Sequence, residues 1–186
     1  MAGKIQEVIF YKKLKKHFAV QEPRRQKRLL PLSQIKSCLI LFDASEEQKS
    51  LIIFSIIKTL EDSGINVCSV GYAPFKQSPH WCFEKTAYHY INKKHTSLTG
   101  FPKADFIDKI LGENYDLLID FLSEKTAPMC YLSALSKSRL KVARLRNQND
   151  FLYKVYDLII ENPELNDREF FDEIRRVLRM LNNEKE

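Results

Sequence analysis

Asp43 and Asp120 each close a short apolar run, Leu39-Ile40-Leu41-Phe42 before the first and Leu117-Leu118-Ile119 before the second. In a doubly wound sheet, ligands sit at the carboxyl ends of the strands, beside the point where strand order reverses. Two carboxylates facing each other there could hold a cation or divide acid and base work between them. A strand order of 3-2-1-4-5 would set Asp43 and Asp120 across one such crevice. The plainer reading is that Asp43 opens a turn and helps cap the helix after it, while Asp120 ends its strand.

Other chemistries find less support. The turn after the first run is Asp43-Ala44-Ser45-Glu46-Glu47, with no glycine and three carboxylates. A phosphate site needs close backbone approach and a helix start free of negative charge, so an ordinary NAD, FAD or ATP site is excluded and no cofactor is expected. His80, Cys82, His89 and His95 lie close in sequence, but their spacing matches no zinc pattern. No Gly-x-Ser-x-Gly surrounds a serine, and Cys38, Cys68, Cys82 and Cys130 are dispersed, which suits packed, reduced thiols.

The strongest signal is charge. The first 28 residues hold nine Lys/Arg against Glu7 and Glu22, a net of +7 in a chain of net +6. The remaining 158 residues are nearly neutral, with 21 basic and 22 acidic side chains. A local cationic patch acts on polyanions. The candidate RNA-binding residues are Lys12, Lys13, Lys15, Lys16, Arg24, Arg25, Lys27 and Arg28, joined by Lys137 and Arg139 from a second cluster that continues to Lys141, Arg144 and Arg146. Strand alternation sends members of that second cluster to different faces. The expected function is a non-enzymatic protein whose cationic arm contacts RNA, with the ribosome as a candidate setting and with Phe10, Tyr11 and Phe18 offering apolar or stacking surface. Two alternatives stand beside it. One is a peripheral protein laying the same arm on an anionic membrane surface; the other is a sugar- or nucleotide-handling α/β enzyme using Asp43 and Asp120.

These residues need elements to hold them. Val8, Phe10, Tyr11, Leu14 and Phe18 share one side of a helix and Lys12, Lys13 and Lys16 the other, so the arm reads as an imperfect amphipathic helix. Residues 21–28 follow it with Pro23 and a run of cations, the look of a mobile or partner-ordered linker. An α/β domain is expected over 29–186, after the arm and linker of 1–28. Residues 37–42 form a run apolar throughout, which suits a strand covered on both faces. Ser45 and Gln48 then have capping-box spacing before a helix that stops at Gly64, and residues 66–72 form the next strand. Further strands are read at 86–92, 116–121, 141–145 and 156–160, and helices at 103–111, 128–136 and 167–182. This alternation predicts a Rossmann-like three-layer sandwich with a mostly parallel sheet of five or six strands, preceded by the basic helix. At 186 residues and 44% hydrophobic content the chain can bury one substantial core. No run approaches the roughly 18 apolar residues of a membrane span, and 5–11 contains Glu7 and leads into lysines rather than a cleavage site. A cytoplasmic location is expected.

The basic N-terminal helix, Leu39-Ile40-Leu41-Phe42-Asp43-Ala44, Asp116-Leu117-Leu118-Ile119-Asp120 and Leu135-Ser136-Lys137-Ser138-Arg139-Leu140-Lys141-Val142 together resemble a family of uncharacterised Bacteroidota proteins. The resemblance spans nearly the whole chain and implies the fold, with no activity attached. After Lys141-Val142 it implies a Gly in many relatives, where this chain has Ala143-Arg144. A looser similarity to one half of a two-domain sugar transferase is a fold analogy that carries no function.

Overall fold

Two separate apolar layers sandwich the sheet, and the first strand shows why. Along β1 (Ser37–Asp43), side chains alternate between faces: Cys38, Ile40 and Phe42 enter one layer, Leu39 and Leu41 the other. Both faces are covered, which accounts for the uninterrupted apolar run. The computed structural model describes residues 2–77, 79–83, 85–97, 100–124, 126–144, 150–162 and 164–181. Among these, six strands form one sheet in the order β3-β2-β1-β4-β5-β6, every pairing parallel. The remaining strands are β2 (Asn66–Tyr72), β3 (Tyr88–Ile91), β4 (Leu117–Asp120), β5 (Leu140–Arg144) and β6 (Leu158–Ile160).

On one face lie α2 (Glu47–Asp62) and α6 (Asp167–Met180), through Ile53, Ile56, Ile57 and Leu60 and through Phe170, Phe171, Ile174 and Leu178. On the other lie α1 (Ala2–Gln21), α3 (Ala104–Leu111), α4 (Ala127–Leu135) and α5 (Asp150–Val155). This is the expected three-layer α/β sandwich. Gly71 in β2 is there for close packing: a Cβ would meet the Tyr90 ring at 2.8 Å and Ala44 and Phe42 at 2.9 Å. Gly64, at φ 78°, supplies the left-handed residue that ends α2.

Several local expectations change. The Ser45–Gln48 capping box does not form, because the Asp43 carboxylate takes the Ser45 N–H at 2.9 Å and α2 begins only at Glu47. A reciprocal box opens α6 instead, where Asn166 accepts the N–H groups of Arg168 and Glu169 and Glu169 accepts that of Asn166. The strand read at 156–160 is shorter and is preceded by α5, which the apolar pattern did not suggest. Leu145, Arg146 and Asn182 lie outside the described residues.

The largest correction concerns residues 1–28. Phe10, Leu14 and Phe18, spaced four apart, are buried against α4 and the sheet, so α1 is a structural layer of the sandwich rather than an appended arm. Val8, grouped with them by sequence, faces solvent at 67% exposure. Residues 22–28 are not a mobile linker either. Glu22–Arg24 form a single 3-10 turn, the N–H of Arg28 donates to the Arg139 carbonyl, and the Arg25 side chain is buried.

Candidate functional site

The strand order places the topological switch between β1 and β4. β1 leads into α2 on one face and β4 into α4 on the other, so the chain leaves the two strand ends in opposite directions and opens a crevice. The resulting cleft, about 360 Å³, is lined by Asp43, Ser45, Lys49, Tyr72, Ser123 and Glu124, among others. Burial works against the Asp43 carboxylate. Hydrogen bonds from Ser45 and from Lys49 Nζ, the latter at 2.9 Å, outweigh it and hold its pKa below the ordinary carboxylate value. Lys49 also meets Glu46 at 2.7 Å, and these two carboxylates push its pKa up to about 12.

Asp120 does not share this cleft. It pairs in register with Leu41, two residues short of Asp43, and its side chain is fully buried. Its carboxylate accepts the Leu122 N–H at 3.0 Å and the Tyr156 hydroxyl. Burial and the Asp120 charge drive the Tyr156 pKa well above that of a free phenol. The expected crevice pair is therefore separated: Asp43 lines the opening, while Asp120 is covered by packed side chains and, through Tyr156, fastens the end of α5 to β4. Among the described residues no group of three or more His, Cys, Asp or Glu could hold a metal ion. His95 instead accepts the Asn92 N–H at the start of a 3-10 turn.

The candidate cations divide by whether the fold uses them. Lys12, Lys13, Lys15 and Lys16 are exposed on the outer side of α1 and make no ion pair with any described residue. They cannot turn inward, because the apolar spacing at 10, 14 and 18 fixes the helix rotation. Lys13 and Lys15 lie over the rings of Phe101 and Phe151 at 5.9 and 5.7 Å. Arg24, Arg28 and Lys137 are exposed as well.

Arg25 is withdrawn from the candidate set. Its guanidinium donates to both oxygens of Asp157 at 2.7 Å, to Glu22 at 2.8 Å and to the Ser138 carbonyl at 3.0 Å. Lys27 is partly engaged, meeting Glu22 at 2.6 Å, and Arg139 meets Asp116 at 3.2 Å. The second cluster is not a single patch. Lys141 is fully buried, donates to the Ala134 carbonyl at 3.1 Å and lies 4.0 Å from Glu22. Burial, reinforced by the neighbouring Arg25 charge, pushes its pKa down to about 7. Arg144, also buried, stacks on Phe170 and donates to Asp167 at 2.7 Å and to the Phe121 carbonyl at 3.1 Å. Arg146 lies outside the described residues.

Sequence reasoning missed two features. One is the internal network of Glu22, Arg25, Lys141 and Asp157, in which Arg25 meets Asp157 from 132 positions away. The other is a groove of about 370 Å³ between the last turns of α1 and the end of α4, with Lys16 and Lys137 at its margin. Val20, one turn beyond Lys16, stands exposed beside the groove.

Among the described residues no helix is long and apolar enough to cross a membrane. A protein-family model described as a family of unknown function (DUF6913) matches residues 6–181, and no curated protein matches the chain.

Proposed function

We propose, for a chain that belongs to the DUF6913 family and inherits no activity from it, that the protein is a non-enzymatic binding protein whose α1 face grips the phosphates of RNA, with the ribosome as a candidate setting. The observation that carries this reading is the row Lys12, Lys13, Lys15 and Lys16, exposed and without an internal ion pair among the described residues. Arg24, Arg28 and Lys137 extend the exposed charge. Ammonium groups held on a rigid helix contact phosphate oxygens with little sequence preference and release condensed counterions on binding. The docked helix supports the reading because its lysines are presented without an ordering cost for the backbone.

A cytoplasmic location belongs to the same reading, and the Bacteroidota kinship expected from the sequence adds no activity to it. An anionic membrane surface is the weaker partner. The stripe that would insert into lipid is the one carrying Phe10, Leu14 and Phe18, and these pack inward. An enzyme built on Asp43 and Asp120 has no geometric support, since the two carboxylates do not meet.

The test is RNA affinity as a function of salt. Replacing Lys12, Lys13, Lys15 and Lys16 together by Gln is expected to weaken binding to a single-stranded RNA. The slope of log K against log salt is expected to fall by about 3, at about 0.7 per phosphate contact. Circular dichroism should show the fold intact. An unchanged affinity and slope would overturn the reading.

A further inference from the structure

The groove beside the lysine row has a floor and a margin of different chemistry. Leu111, Leu135 and the ring of Tyr131 form an apolar floor, with Val20 closing one side at 56% exposure. Lys16 and Lys137 stand at the margin, one from α1 and one from the segment after α4, and no carboxylate lines the groove among the described residues. Two further side chains can read polar edges. Gln21 offers an amide with both donor and acceptor, and His17 sets its ring edge-on to Tyr131 with centroids 6.0 Å apart.

We propose that this groove takes an unpaired base of single-stranded RNA, with the two flanking phosphates held by Lys16 and Lys137. The inference rests on the RNA-binding reading and narrows it to a substrate class. A planar, apolar-faced group with a negative charge on either side matches an apolar floor between two cations. Every base offers such a face, so the site selects strandedness rather than sequence. A base within a duplex is stacked and paired and cannot reach the floor. The cavity volume lies at the lower end of the range for small-ligand sites, enough for one base but not for a run of them. Lys12 and Lys13, one turn back along α1, continue the phosphate track away from the groove. Phe10 and Phe18 are buried in the layer beneath α1, so stacking falls to the groove and not to these aromatics.

The experiment uses the full chain with a 4-thiouridine-bearing single-stranded oligonucleotide and a blunt RNA duplex of the same length. The single strand is expected to bind about tenfold more tightly than the duplex. Photocrosslinks are expected at His17 or Tyr131, and Val20→Asn with Gln21→Ala should reduce the preference without changing duplex affinity. Equal affinity for the two RNAs, or crosslinks confined to residues outside the groove, would overturn the groove and leave the phosphate-gripping reading standing. No binding to either RNA would overturn both. Protection of the groove residues by polyglutamate but not by the oligonucleotide would also overturn the proposal and assign the groove to an acidic protein partner.

Discussion

Lys141 is placed at a cost to the fold. A lysine is rarely fully buried without a carboxylate in direct contact, yet its nearest acid is Glu22 at 4.0 Å while Arg25 crowds it with like charge. The folded state therefore disfavours its protonated form, and the unfolded chain, with the ordinary value of 10.5, binds more protons between that value and about 7. The Lys141 penalty is fully present below about pH 7 and is relieved as pH rises toward 10.5, so Lys141 by itself makes the fold more stable with rising pH across that window, while Cys38, Cys68 and Cys82, whose pKa burial raises above the ordinary 9.0, act the other way above that value. Lys141→Met is expected to flatten this rise and to stabilise the protein at pH 6, as read by urea denaturation at pH 6 and pH 9. A steep rise retained in the variant would exclude Lys141 as its source. Asp157 contributes a stabilisation rather than a penalty, although its effect too grows with pH: burial opposes its charge, but Arg25 holds its pKa below the ordinary value of 3.8, so its contribution is present at neutral pH and is lost on acidification below that value.

Among the elements, α1 is the one whose role changes most between sequence and fold. Its buried residues and its lysines occupy opposite sides of one helix, so the same 20 residues perform two tasks that mutation can separate. Phe10 touches Phe101 and Tyr11 and is nearly inaccessible to solvent. Phe10→Ala should lower stability by about 3–5 kcal/mol through lost transfer energy and the cavity left behind. Lys12→Gln, on the exposed side, should change it by less than about 0.5 kcal/mol. Chemical denaturation of both variants checks the contrast, and a small effect at Phe10 would mean that α1 is only loosely docked. The amphipathic character of the segment was legible from its spacing. Its rotation was partly misread at Val8, because a helix of mixed composition leaves more than one face plausible until a neighbour selects one.

At the scale of the whole molecule, the surplus charge and the core cannot be separated by truncation. Removing residues 1–28 would take Phe10, Leu14 and Phe18 from one layer and Arg25 from its contacts with Asp157 and Ser138. The remainder is expected to lose cooperative unfolding and near-ultraviolet circular dichroism rather than persist as a neutral α/β body; a truncated chain that unfolds cooperatively would contradict this. Point substitution of the exposed lysines is therefore the proper probe of binding. The amino-acid order by itself determined the β-α alternation, most strand positions, the excess of cations in residues 1–28 and the absence of a glycine-lined phosphate turn, because periodicity and turn chemistry act over a few neighbouring residues. Only the tertiary structure decided which cations remain outward, that Asp43 and Asp120 part company, and that α1 and the end of α4 enclose a groove. Those outcomes depend on partners as distant as Arg25 and Asp157, 132 positions apart, brought together by strand order and layer packing that no short-range pattern encodes.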